Sequence, residues 1–307
     1  MIKIFYVLCG LAIGGLIYVT FIEPNLLYKR RFTVKSDKFN FEKNIKAIHF
    51  TDVHLGRYES LKKFKRVVKR INEENPDIVF FTGDLIDNPQ KKKFNSKEVA
   101  EILSQINAPL GKFAVEGNHE VRYDIVDEYR EILKDSGFVF LKNDSIYLEK
   151  YNINIVGCGN STFENIKNAS RLIPTSKVNF KNMEKCKNLF KSDSFNIFLC
   201  HHPDVADEVK IGDNVLTLAG HSHGAQIRIP IIEKFYMPNL AKKYPRGLNR
   251  TADGALVHTS EGLGMTRFPF RFCSPPNMGI IIFEKNNFMN GELDRYEKYS
   301  DKRVQKF

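Results

Sequence analysis

The chain has 307 residues, 42% of them apolar and 12% aromatic, enough to bury a core and enough to exclude a disordered or collagen-like polymer. Its 47 Lys+Arg against 36 Asp+Glu leave a net charge of +11, which admits nucleic acid, an anionic membrane surface or an anionic substrate as partner. Five cysteines without a CxxC pair exclude a complete disulfide framework and favour a reducing environment for the main body.

The first element is apolar. Residues 4–22 run nineteen positions without a charge, roughly 28 Å as a helix and close to the hydrocarbon thickness of a bilayer. A cleaved signal peptide is the rival reading, but no A-x-A-like site follows, and Tyr6, Val7 and Leu8 ahead of Cys9 do not suit lipoprotein processing. A single uncleaved span is therefore expected. Only the terminal amine and Lys3 precede it, whereas Lys29, Arg30, Arg31, Lys35 and Lys38 follow. The positive-inside rule then places the remainder on the cytoplasmic face of the cell membrane, unless those basic residues simply begin a surface strand.

Strands and helices alternate from there. Strands are expected over residues 31–35 and 45–51, then a helix over 61–74 with Leu61, Phe64, Val67, Val68 and Ile71 on one face. Lys62, Lys63, Lys65, Arg66, Lys69 and Arg70 occupy its other face. A buried strand follows over 77–82, a helix over 96–106, a strand over 112–116 and a helix over 125–134 closed by Gly137. Further strands are expected near 145–149, 153–156, 195–200, 215–219, 255–259 and 279–284, with a helix near 180–190. No repeat or low-complexity tract interrupts them after residue 30. The expected organisation is an anchor with juxtamembrane segment over 1–30 and one layered α/β catalytic domain over 31–307.

Chemistry-bearing residues gather just after strands. Five segments carry them: Asp52 and His54; Gly83, Asp84 and Asp87; Gly117, Asn118, His119 and Glu120; His201, His202 and Pro203; and Gly220, His221, His223 and Gly224. Six of the eight histidines lie there, and only His49 and His258 lie elsewhere, inside apolar strands where they read as core. Imidazole and carboxylate together form a ligand set for divalent transition metals. In a continuing strand Asp52 and His54 point to one face and can share a cation. Each segment taken alone also reads as an ordinary turn.

In this order the five segments resemble the calcineurin-like metallophosphoesterases: DxH, GDxxD, GNHE, a strand-end His and GHxH, with the likeness extending to about residue 285. The resemblance implies a four-layer αββα sandwich with a dinuclear metal centre at one end. It assigns one metal to Asp52, His54, Asp84 and His223. The second takes Asp84, Asn118, His201 and His221, so Asp84 bridges. His119 faces the substrate as proton donor or charge stabiliser; His202 is not a ligand. Asp87, Glu120 and Asp204 are expected as supporting partners or turn formers. Two such cations activate a water for in-line attack on phosphorus without a covalent phosphoryl-enzyme. Manganese is the expected metal, with iron, zinc or cobalt open.

The membrane-anchored branch, which includes hydrolases of the pyrophosphate of UDP-2,3-diacylglucosamine in lipid A synthesis, is the one most resembled. The marks are Glu23, Pro24 and Asn25 after the span, the stretch 220–230, and the stretch 262–277. Ala225 and Asn277 depart from it, since relatives commonly place a second glycine and an acid there, and paired aspartates are absent at 156–160. The basic helix face, Lys91–Lys93, and Lys242, Lys243, Arg246, Arg250, Arg267 and Arg271 are candidates for anionic headgroups, and Phe268, Phe270 and Phe272 for the membrane interface. Their plain alternatives are a solvated helix face, a solvated loop and one side of an edge strand. A lipid-linked or other phosphate-ester substrate, a membrane, a monomeric state and no nucleic acid are expected; phospholipid headgroup or soluble phosphodiesters, a nucleic-acid phosphodiesterase and a non-catalytic scaffold are the alternatives.

Overall fold

A computed structural model describes residues 1–89, 95–160, 181–210 and 212–286, together with the backbone of 300–306. The apolar amino terminus forms α1 (Ile2–Ile17), which buries none of its side chains. A π-helical turn (Tyr18–Ile22) and a 3-10 turn (Glu23–Asn25) continue it, giving one 24-residue helix long and apolar enough to cross a bilayer. Strand β1 (Leu26–Ser36) begins at the next residue.

The order then runs β2 (Ile45–Phe50), α2 (Leu61–Glu73), β3 (Ile78–Phe81), α3 (Ser96–Ser104), β4 (Lys112–Ala114), α4 (Asn118–Arg122), α5 (Val126–Asp135), β5 (Val139–Phe140), β6 (Asp144–Leu148) and β7 (Ile153–Gly157). It continues through α6 (Lys181–Lys187), β8 (Phe195–Leu199), β9 (Val215–Ala219), α7 (Glu233–Tyr236), β10 (Gly247–Arg250), β11 (Leu256–Thr259), β12 (Asn277–Lys285) and β13 (Ser300–Lys306). One mixed sheet has the order β13-β1-β12-β2-β3-β4-β5, the other β10-β11-β9-β8-β7-β6.

Three cores stack these elements into the expected αββα sandwich. Phe64, Val67 and Ile71 of α2, Val99 and Leu103 of α3 and Tyr129 of α5 pack on one face of the first sheet. Phe32, Ile45, Phe80 and Phe113 of that sheet meet Ile155, Phe195, Ile197 and Leu218 of the second. Met183 and Cys186 of α6 cover the far face of the second sheet. The strands are short apolar runs because most are covered on both faces. Ser60 caps α2, its hydroxyl accepting from the Lys63 amide at 3.2 Å.

One expectation about the basic residues changes. Lys63 is buried, its ammonium held by Glu59 at 2.8 Å and by the Pro24 carbonyl at 2.7 Å, so it leaves the solvated face of α2. Lys29 and Arg31 lie on β1 and both reach Glu74, at 2.6 and 3.0 Å. These basic residues begin a strand. The strand expected over 31–35 is longer at both ends, and Lys91–Lys93 lie outside the described residues.

Strand polarity sets up the functional end. β2, β3 and β4 run parallel in one sheet, with Phe50 opposite Phe81 and Phe81 opposite Ala114. β8 and β9 run parallel in the other, with Leu199 opposite Leu218. All five therefore release the chain at one edge of the sandwich, where parallel sheets usually place their chemistry.

Candidate metal centre

Each histidine- and carboxylate-bearing segment leaves one of those strand ends. The chain does not continue as strand through Asp52 and His54, contrary to the shared-face expectation. β2 stops at Phe50, and both residues turn with positive φ, 50° and 49°. Asp84 (57°), His221 (67°) and His223 (48°) do likewise. A non-glycine residue held left-handed costs about 1 kcal/mol or more. The strain is concentrated where side chains must converge from short loops.

They converge closely. The Asp52 Oδ1 atom lies 3.3 Å from His223 Nε2 and 3.5 Å from His54 Nε2, and those two nitrogens face each other at 3.0 Å. The Asp84 Oδ2 atom lies 3.2 Å from His201 Nε2 and 3.5 Å from His54 Nε2. The Asn118 amide oxygen is 3.1 Å from the same His201 nitrogen. Three overlapping clusters, Asp52-His54-His223, Asp52-Asp84-His201 and His54-Asp84-His119, have the spacing to hold a cation. Asp84 belongs to two of them and Asp52 to two.

The remaining hydrogen bonds fix which atoms point inward. Thr51 Oγ1 and the His221 amide donate to Asp52 Oδ2, at 2.8 and 2.9 Å, leaving buried Oδ1 without a hydrogen-bond partner. The His119 amide donates to Asp84 Oδ1 at 2.8 Å, which leaves Oδ2 for the cluster. A backbone carbonyl only accepts, so Nδ1 of His201, 2.7 Å from the Thr82 carbonyl, carries a proton, and Nε2 is the ring atom turned to the cluster. His221 is turned the other way: its Nε2 donates to the Asn239 carbonyl at 3.1 Å, and Nδ1 is the free donor atom. Its ring lies 5.1 Å from that of His201. A cluster lined by carboxylate oxygens and ring nitrogens at this spacing suits divalent cations.

Charge follows the same geometry. Burial works against ionised Asp84, but His201 and His119 outweigh it and hold the carboxyl below the usual range. Asp52 is treated alike by His223 and His201. His201 is penalised by burial yet lifted to about 10 by Asp84 and Asp52. His221, with less carboxylate help, is pushed down to about 3 by burial and by His201.

Close packing leaves no space for other side chains around the acids. A Cβ on Gly117 would stand 2.1 Å from Asp84 Oδ1, and one on Gly220 2.2 Å from Asp52 Oδ2. Glu120 ties the GD turn to the GNHE segment, its carboxylate accepting from the amides of Asp84, Leu85 and Gly117. That segment is not a loop but the short helix α4. Asp204 accepts from the amides of Lys242, Lys243 and Tyr244, a turn former.

The sequence pattern of the calcineurin-like phosphoesterases matches residues 45–225. The chain belongs to this family. Over 285 residues it is 30% identical to YkuE, an uncharacterized metallophosphoesterase of Bacillus subtilis, covering 89% of this chain and 91% of that protein. It is 26% identical over 327 residues to the UDP-2,3-diacylglucosamine pyrophosphatase LpxG of Chlamydia muridarum, covering 86% of this chain and 92% of that protein. A transmembrane protein with a metallophosphoesterase domain from Danio rerio is 25% identical over 243 residues, covering 78% of this chain and 53% of that protein. The chain is thus a metal-dependent phosphoester hydrolase of a family that works with a dinuclear divalent-metal centre.

Other metallophosphoesterase residues stand apart from the cluster. His202 is buried beside His201 and His221, and neither of its ring nitrogens has a hydrogen-bond partner. His49 and His258 face each other between the sheets, Nδ1 to Nδ1 at 3.1 Å. Asn277 donates to Glu261 at 2.7 Å, where a carboxylate would meet like charge. Ala225 takes φ 69°, a conformation that glycine adopts without strain. Arg271 is not a headgroup ligand: it is wholly buried and donates to the carbonyls of Ser274, Glu261, Gly262 and Gly264. Nothing in sequence spacing marks Glu261 or the Thr82 and Asn239 carbonyls, because backbone acceptors carry no residue signature.

Proposed function

We propose that the chain is a membrane-anchored metallophosphoesterase that cleaves a phosphodiester or pyrophosphate bond in a lipid-linked substrate, with UDP-2,3-diacylglucosamine as the leading candidate. The observation that carries this reading is Asp84 Oδ2 standing between His54 and His201 while buried Asp52 Oδ1 lacks any hydrogen-bond donor, in a chain that opens with an apolar helix of membrane-spanning length. The name of the chlamydial relative supports the substrate class.

Asp52, His54, Asp84 and His223 would hold one divalent cation, and Asp84, Asn118, His201 and His221 the other, with manganese proposed for both. Bound there, two cations lower the pKa of a water and offset the charge that builds on phosphorus. The chain supplies the rest. Asp84 keeps both halves of the centre in register through its bond to the His119 amide. His119 Nδ1 donates to the Asp87 carbonyl at 2.6 Å, so its Nε2 is the atom that can deliver a proton to the leaving oxygen. His119 is neutral in the resting protein because burial depresses its pKa, against the pull of Asp84. Entry of an anionic phosphate favours its charged form. The basic excess beyond α1 supports a cytoplasmic catalytic domain, acting as a monomer.

The test is a substrate panel on the full chain in vesicles with Mn2+. UDP-2,3-diacylglucosamine should be split at its P–O–P bond, water entering and UMP leaving, and EDTA should abolish turnover. If phospholipids or a soluble aryl diester are hydrolysed efficiently while the UDP-lipid survives, the substrate assignment falls and the hydrolase remains.

A further inference from the structure

We propose that segments 226–237 and 267–273 form a second membrane contact, an apolar wedge seated in the interface of the bilayer that α1 crosses. The proposal rests on reading α1 as a span. Among the described residues, exposed large apolar side chains outside the amino-terminal helix occur at this wedge and at Val139 and Tyr147. In the wedge Phe235 is 81% exposed and Ile231 77%, with Ile229, Ile232 and Phe272 beside them. Isolated apolar residues need no explanation, but a contiguous group does.

The occupant follows from the contact between wedge and helix. The Arg271 amide donates to the Val19 carbonyl at 3.1 Å. Val19 lies three residues before Ile22, so this bond sits roughly 4.5 Å inside the end of the uncharged run. A segment bonded at that depth cannot stand off in water while the helix is in lipid. The Ser274 amide donates to Glu23 at 2.6 Å, which fixes the approach. Alternation does the rest: Arg271 turns wholly inward to backbone carbonyls, while Phe272 turns outward and Phe270 lies half-buried against Phe268.

The two segments move as one piece. Backbone bonds join Arg228 to Phe272 at 2.8 Å and Phe272 to Gln226 at 3.0 Å. The Gln226 amide donates to the Phe268 and Phe270 carbonyls, and Tyr236 packs edge-on against Phe268. Charge suits an anionic leaflet, since Lys234 and Arg267 are exposed and the one acid of 226–237, Glu233, is paired with Arg246. Ser274 Oγ donates to the His223 carbonyl at 2.8 Å. The residue that follows the wedge thus braces it against the segment that carries His223.

The chain has no tryptophan, so single substitutions report position directly. Full-length Phe235→Trp, Ile231→Trp, Phe5→Trp and Tyr147→Trp proteins are reconstituted in phosphatidylcholine–phosphatidylglycerol vesicles with or without acyl-chain bromine, after each is shown to hydrolyse an aryl phosphodiester. Bromine should cut emission by about half or more in F235W, I231W and F5W, as expected for burial at the acyl boundary, and leave Y147W unchanged. Quenching of F5W alone overturns the wedge and spares the anchor. Loss of quenching in F5W removes the span and the wedge with it, while hydrolysis stands. Emission shielded from acrylamide but insensitive to bromine at F235W assigns the surface to a second copy of the chain and overturns the proposal.

Discussion

Two groups of buried histidines differ only in their company. At the sheet edge, His201 is fully buried beside Asp84 and Asp52 and is lifted to about 10. Between the sheets, His258 is equally buried beside His49 and Phe32, and is pushed down to about 3 by burial and by Arg30. Desolvation alone always disfavours the imidazolium. Two carboxylates reverse the sign. The reversal holds at His54 and His201 and fails at His221 and His223; what suits the edge to cations is its two buried acids, which the interior pair lacks.

The comparison can be broken at its centre. Asp84→Ala removes the atom shared between the two halves, and hydrolysis should fall to the level of EDTA-treated protein, roughly 10³-fold or more, with cation content per chain reduced. Far-ultraviolet circular dichroism checks that the sheets persist. A fully active D84A protein with two bound metals would end the bridging assignment. His119→Gln tests the edge group's remaining member: kcat should drop about 10²-fold while metal content and KM hold. A drop in metal content would instead make His119 a ligand, as its cluster with His54 and Asp84 also permits.

The interior pair gives the smallest effect and the clearest sign. The folded pKa of His258 lies below its unfolded value, so the unfolded chain binds the extra proton. Its neutral form therefore contributes stability that is complete above about 6.5 and is lost as pH falls toward 3. That loss is roughly 1.4 kcal/mol per pH unit from this one group. Urea midpoints of metal-free protein at pH 7 and pH 5 should fall further for the native chain than for His258→Gln. Equal shifts would show that His258 does not titrate on unfolding.

Much of the candidate site is legible in the sequence, because metal-ligating chemistry uses side chains with names. Asp52, His54, Asp84, Asn118, His201, His221 and His223 stand at the ends of short apolar runs, and the five segments they mark converge in the fold. Strand and helix positions follow periodicity: α2 is expected over 61–74 and found over Leu61–Glu73. What escapes local pattern is decided by tertiary contact. Lys63 and Arg271 look like surface cations, yet each is buried because carbonyls of distant segments are aimed at it. The pairing of β13 with β1 depends on a partner more than 250 residues away, beyond the reach of local pattern. The turn at Asp52 and His54 uses left-handed backbone, which Asp and His tolerate better than most residues but which the apolar run before them gives no sign of.

The junction between α1 and β1 has a further consequence. No linker separates them: the 3-10 turn ends at Asn25, β1 starts at Leu26, and nine residue pairs from Tyr28 to Ser36 then lock β1 to β12. A tether without slack allows neither swivel nor reach. Its effective concentration is high for molecules in its own leaflet and near zero for any held on a facing membrane. With α1 in the bilayer as proposed, a metallophosphoesterase mounted this way would work in cis, on substrate in its own leaflet from which it cannot lean away.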